Sequence, residues 1–271
     1  MSYSKTMKIL YIGDVMGELG LQLVEEVLPK LRHDKQIDLV IAQAENVTEG
    51  KGISAKDFQR LQAAGVDFCT GGNHIFRRAE ITPLLDDPKQ PIIRPANYPA
   101  GTAGLGWKYV ETQQGKVLVV SLLGQIVGKQ STEDIDNPLK IIDDILASQQ
   151  KEAKVATIVN FHGDFSSEKV IIGNYLDGRV TAVIGDHWHV PTADARVQPK
   201  GTAHISDVGM CGALESSLGV TFDSVIPRWR DGIQTRNILE EKGSKQFNAV
   251  LVTVNESGLA DSIEQIRQIL D

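Results

Sequence analysis

Cysteine is scarce in this chain: two thiols, Cys69 and Cys211, in 271 residues. That excludes a disulfide scaffold. No apolar leader precedes the first strand signal at Met7. The expectation is a reduced, cytoplasmic setting without disulfides. Basic charge is also short. Lys and Arg number 28 against 35 Asp and Glu, a net charge of -7. An extended nucleic-acid-binding surface needs basic charge, so none is expected. A small phosphate ester held by metal ions is not excluded. No apolar run approaches the ~20 residues of a membrane helix, so no membrane partner is expected. Phosphate-cradling signatures are missing too. The strand-to-helix turn Gly13-Asp14-Val15-Met16-Gly17 lacks Gly-x-Gly-x-x-Gly, and there is no Gly-Lys-Ser/Thr. Ser121 and Ser166 lack the context of a nucleophile elbow. No repeat, low-complexity tract or linker divides the chain, so one domain over 1–271 is expected, with 1–6 as a loose tail.

What is there is ordinary globular material, 41% hydrophobic and 23% charged, enough for a real core. Apolar runs at 8–12, 37–44, 66–70, 116–123, 155–161, 180–184, 202–206 and 247–254 read as strands. Leu21, Val24, Val27, Leu28 and Leu31 repeat at helical spacing, with Pro29 marking a kink or break. Ser54 and Gly65 bracket a second helix as N-cap and C-terminal stop. Further helices are read over 138–148 and from Ser166 to Leu176. The spacing of Ile263, Ile266 and Ile269 suggests a final one, and 228–245 reads as polar surface. Strands alternating with helices point to a layered α/β domain.

Polar residues gather where strands stop. Asp14, Glu45-Asn46, Asn73-His74, His162 and His187/His189 each follow an apolar run. In open α/β sheets, sites form where the carboxyl ends of strands meet. If the strand at 180–184 stays extended, His187 and His189 point to one side. Taken singly, each cluster reads as readily as a turn residue, a cap or a structural histidine. Five strand ends sharing one chemistry do not. Together they offer two carboxylates, two amide oxygens and four imidazoles. That mixed N/O set suits Fe, Mn, Zn, Co or Ni, and its size favours two ions per chain. His33 is read as a surface residue. His204 lies inside a strand and is left out. Asp164, Asp186 and Asp207 are read either as partners that orient histidines or as solvated acids.

Gly13-Asp14, Gly72-Asn73-His74, His162 and Gly185-Asp186-His187-Trp188-His189 resemble the motif series of calcineurin-like metallophosphoesterases. Ala44-Glu45-Asn46, Arg94-Pro95-Ala96-Asn97-Tyr98-Pro99, Ser167-Glu168-Lys169, Tyr175-Leu176-Asp177-Gly178-Arg179-Val180 and Asp207-Val208-Gly209-Met210 resemble its YmdB-like 2′,3′-cyclic nucleotide phosphodiesterase branch. These segments span roughly residues 7 to 225. The resemblance implies a four-layer α-β-β-α sandwich of two mixed β-sheets flanked by helices, around two metal ions, Fe or Mn first. It implies Asp14, Glu45, Asn46 and His189 on one ion, and Glu45, Asn73, His162 and His187 on the other. His74 would be the catalytic general acid beside a hydroxide shared by the ions. The implied activity is hydrolysis of a small cyclic nucleotide, by a chain expected to form a homo-oligomer. The alternatives are a phosphomonoesterase on the same ligands and a metal-binding regulatory protein without turnover. Three departures from the branch pattern alter the rim: Ile75-Phe76-Arg77-Arg78 in place of a Trp-Asp pair, Gly163-Asp164 in place of a small residue and Glu, and Pro191 in place of Gln.

Overall fold

The strand runs are mostly apolar because both of their faces are buried, each against a different layer. In β1 (Met7–Ile12), Leu10 and Ile12 pack on the helix side while Met7, Ile9 and Tyr11 pack between two sheets. The computed structural model describes residues 6–127 and 134–271; positions 1–5 of the expected tail lie outside them. β2 (Asp14–Val15), α1 (Gly17–Lys35), β3 (Leu39–Gln43), α2 (Ala55–Ala64) and β4 (Phe68–Thr70) follow, then α3 (Thr82–Asp86). A second run comprises β5 (Trp107–Thr112), β6 (Gly115–Leu123), α4 (Pro138–Ser148), β7 (Ala156–His162), α5 (Ser166–Tyr175), β8 (Ala182–Asp186), β9 (Arg196–Val197) and β10 (Ala203–Ile205). The chain closes with β11 (Met210–Ala213), α6 (Phe222–Asp231), β12 (Lys245–Val254) and β13 (Ala260–Leu270).

One sheet has the order β2-β11-β12-β1-β3-β4, with β13 paired to β12; the other runs β5-β6-β7-β8-β10-β9. β1, β3 and β4 are mutually parallel, as are β6, β7, β8 and β10. Their carboxyl ends therefore share a side within each sheet. One core lies between the sheets, one under α1 and α2, and one under α4 and α5. This is the α-β-β-α sandwich expected, with two mixed sheets.

Local signals held where chemistry fixes them. The Ser54 hydroxyl accepts the Asp57 N–H at 3.0 Å, and Gly65 ends α2 at φ 105°. Three expectations need correction. The helix expected at 263–269 is β13, paired along its length with β12. Isoleucine is β-branched and suits a strand; Ile266 is buried while Ile269 is exposed, so the i, i+3 spacing carries no single helical face. Pro29 does not end α1, which continues to Lys35; the proline lies on the exposed side, while Val27, Leu28 and Leu31 hold the helix to the core. The backbone after β8 is not extended: His187 has φ 110° and His189 φ 62°. β5 and α6 carry no signal that the sequence reading used.

Candidate active site

The alternation that builds the inter-sheet core also delivers polar residues to one end of it. Tyr11 shares a face with Ile9, Gln43 with Ile41, Asn160 and His162 with Ile158, and Asp186 with Ile184. At the carboxyl ends these faces meet across the two sheets. The five predicted clusters converge there, contributed by both sheets rather than by neighbouring strands of one.

Three imidazoles are oriented alike. His162 donates its Nδ1–H to Asp186 Oδ1 at 2.6 Å, His187 donates Nε2–H to Asp164 Oδ1 at 3.0 Å, and His189 donates Nδ1–H to the Leu218 carbonyl at 3.0 Å. Each such bond fixes the tautomer and turns the other ring nitrogen, a bare lone pair, into the site. His162 Nε2 then faces Glu45 Oε1 at 3.1 Å, Asn73 Oδ1 at 3.0 Å and His187 Nδ1 at 3.0 Å. Four such atoms crowd one point, an arrangement that is unfavourable unless a proton or a metal cation sits among them. Asp14, Asn46 and His189 form a second group. Asn46 Nδ2 lies 3.0 Å from Asp14 Oδ1 and 3.4 Å from His189 Nε2.

The electrostatics agree. Burial by itself would lower the pKa of His162, but the Glu45 and Asp186 carboxylates outweigh it and hold the ring well above the ordinary imidazole value. The point thus favours positive charge. Burial pushes Glu45 up, yet His162 and His74 bring it down to about 2. Asp14 is raised by burial first and then by the Asp186 carboxylate. Burial lowers His189 to about 4, keeping it neutral as a ligand must be. Oxygen and imidazole donors with no thiolate fit a pair of divalent transition-metal ions. The two thiols are buried in the core beneath α1 and α2.

His74 differs from the other three. Its Nδ1 donates to Asn46 Oδ1 at 2.7 Å, and its backbone N–H donates to Glu45 Oε2 at 2.7 Å. Asn46 therefore stands between His74 and Asp14, with its oxygen toward the former and its NH2 toward the latter. The two ends of an amide differ only in which atom each presents, so a half-turn exchanges donor for acceptor.

Asp186 anchors the site from below. Its Oδ2 accepts Tyr11 Oη at 2.8 Å, Gln43 Nε2 at 3.1 Å and Asn160 Nδ2 at 2.6 Å. Asp186 is among the acids the sequence singles out, whereas these three donors are not. The signal was present: Gln43 and Asn160 interrupt otherwise apolar strands. Lys169 was also missed as a site residue. It is fully buried, bonded to the Asp186 carbonyl at 2.6 Å and to Asp207 Oδ2 at 2.8 Å, with the Trp188 ring 4.4 Å away. Asp207 Oδ2 also accepts the Trp188 N–H at 2.8 Å. The turn that carries His187 and His189 in positive-φ conformations, unusual for any residue but glycine, is thus clamped from beneath. Close approach explains the glycine before Asn73: a Cβ on Gly72 would lie 2.5 Å from both Glu45 Oε2 and the His162 ring.

The site opens into a cleft of about 540 Å³ lined by Asn46, Asn73, His74, Asp164, His187 and His189 at one end. A larger depression of about 850 Å³ lies at the amino ends of β3 and β4. Arg32, Asp38 and Asp67 are among its lining, which includes no imidazole among the described residues.

The model of a family described as YmdB-like protein matches residues 10–266. The chain is similar to the 2′,3′-cyclic-nucleotide 2′-phosphodiesterase of Bacillus subtilis (strain 168), with 36% identity over 250 residues, 92% of each chain. It superposes on a crystal structure of a hypothetical protein from Thermus thermophilus with a TM-score of 0.89 and 36% identity, over 98% of this chain and 100% of that one. A crystal structure of a novel phosphatase from Mycoplasma pneumoniae gives a TM-score of 0.90 and 32% identity, over 98% of this chain and 95% of that one.

Proposed function

Because this chain belongs to the YmdB-like family, we propose that it hydrolyses small cyclic nucleotides, of the 2′,3′ type, on a dinuclear metal site. It is a phosphoric ester hydrolase. The observation that carries the metal reading is the convergence of Glu45 Oε1, Asn73 Oδ1 and His187 Nδ1 on His162 Nε2, each at 3.0–3.1 Å.

Glu45, Asn73, His162 and His187 would hold one ion, and Asp14, Glu45, Asn46 and His189 the other; the donor set suits Fe, Mn, Zn, Co or Ni, and the family resemblance puts Fe or Mn first. Bound there, two ions lower the pKa of water and neutralise charge on a phosphoryl group. The chain's own residues do the rest. Asp186, Asp164 and the Leu218 carbonyl keep three imidazoles in the tautomer that offers a lone pair. Glu45 stays ionised because it sits beside His162 and His74. His74 is held by its ring and its backbone, so its other nitrogen, Nε2, is the atom that delivers a proton. In the reaction a P–O bond to water forms and the P–O2′ bond breaks; water releases its proton to solvent, O2′ takes one from His74, and solvent reprotonates His74. The product is a 3′-monophosphate. An alkoxide leaves poorly without that proton.

The test is elemental analysis and 2′,3′-cyclic AMP hydrolysis on one preparation, with the product identified. About two transition-metal ions per chain with release of 3′-AMP is the expected result. Two ions with turnover of a phosphomonoester and none of the cyclic diester would refute the substrate assignment. No metal after reconstitution with Mn or Fe would refute the site.

A further inference from the structure

Trp229 is 83% exposed, the most exposed large apolar side chain among the described residues. It lies on α6 at the lip of the cleft that has the histidines and Asn73 on its floor. The cleft changes character along its length. Near the floor it is carboxylates, amides and imidazoles; toward α6 it is Leu218, Val225 and Trp229, with Arg228 and Asn237 beside them. With metal ions held on the floor, a ligand that fits carries an anionic end there and an apolar end toward α6. About 540 Å³ is within the range of a small-molecule site. The lip is fixed in place: the Arg228 guanidinium bonds the Thr235 carbonyl at 2.9 Å and Asn237 Oδ1 at 2.8 Å, and Gly232 closes the helix.

We infer that Trp229 is the platform on which the base of the nucleotide stacks while its phosphate reaches the histidine floor. This rests on the nucleotide reading above and assigns it a base subsite. An indole face is available to stack only if nothing in the free protein covers it, and among the described residues nothing does. Stacking recognises any base, since every base has a π-face, so the subsite separates nucleotides from base-free phosphate esters more than one base from another.

The test uses the metal-loaded full chain and equilibrium binding of two probes, adenosine 3′-monophosphate and β-glycerophosphate, which has no base. In Trp229→Ala, 3′-AMP is expected to bind about tenfold more weakly, the loss typical of one stacked base, while β-glycerophosphate affinity holds. Trp229→Phe should restore most of the difference. Ile233→Ala, exposed on the same segment but not lining the cleft, should change neither. An equal loss for both probes, or no loss for 3′-AMP, overturns the inference. So does a Trp229→Ala protein that sediments as a smaller species with 3′-AMP affinity intact, which would assign the indole to contact with a second copy. If the wild type turns over no cyclic nucleotide but the selective loss of 3′-AMP remains, the base subsite stands and the catalytic assignment fails.

Discussion

Replacing Lys169 with Met removes one charge from a pair with no solvent access: both side chains of the Lys169–Asp207 pair are 0% exposed, 2.8 Å apart. Deleting one partner strands the other, and breaking a buried pair in this way costs about 3–5 kcal/mol. The ammonium also lies 4.4 Å from the Trp188 ring, a contact that adds to the loss. Burial already raises the pKa of Asp207 in spite of Lys169. Without the lysine that carboxyl takes up a proton and ceases to hold the Trp188 N–H as strongly. The His187–His189 turn then loses its clamp. Urea unfolding of the wild type, Lys169→Met, Asp207→Asn and the double variant forms a thermodynamic cycle. The single variants should each lose several kcal/mol, equivalent to a fall in Tm of about 6–10 °C for Lys169→Met in a chain of this size. The double variant should lose less than their sum by about 2 kcal/mol or more. Metal content of Lys169→Met, measured below its midpoint, should fall with the clamp. A loss under about 1 kcal/mol, or strict additivity, would show that the pair does not hold the turn and refute the reasoning.

Three further outcomes are expected. His74→Ala should keep its metal and lose about 10²–10⁴ in kcat, measured with 2′,3′-cyclic AMP; a drop below about tenfold rules out the general-acid role. Gly72→Ala places a methyl 2.5 Å from Glu45 Oε2 and the His162 ring, so its metal stoichiometry should fall, and full loading would mean the strand end can move aside. The metal-free protein should lose stability as pH drops from about 6.5 to about 4. Buried His189 resists protonation down to about 4, whereas in the unfolded chain it protonates near 6.5. The folded state binds fewer protons across that window, so its contribution is complete above pH 6.5 and is lost on descent. His189→Gln should flatten this part of the urea-midpoint profile; an unchanged slope would mean other groups set it.

Much of the site was legible because each predicted residue ends or closely follows an apolar strand run, and such runs are the clearest signal in a chain. Asp14, Glu45, Asn46, Asn73, His74, His162, His187 and His189 are picked out by residue type and strand position, and the structure brings all eight to one end of the sandwich. The period of two along a strand also decides that His162 and Asn160 face the same layer as Ile158, a fact readable in one dimension. β13 was misread because three isoleucines at i, i+3 satisfy a helical template loosely, and nothing local reports that β12 offers a full edge to pair with.

What only the tertiary structure decided is how those strand ends meet. No local rule says that β1, β3 and β4 belong to one sheet and β7 and β8 to another, so convergence across the sandwich follows from sheet order and from the packing of the two sheets on a shared core. The bend at His187 and His189 goes against intrinsic backbone preference. It is held by Lys169, Asp207, Asp164 and the Leu218 carbonyl, all contributed from outside the turn. Residue type and strand position fix which ligands are offered. Long-range contacts, strong enough to impose an unfavourable φ, fix the direction in which each lone pair points.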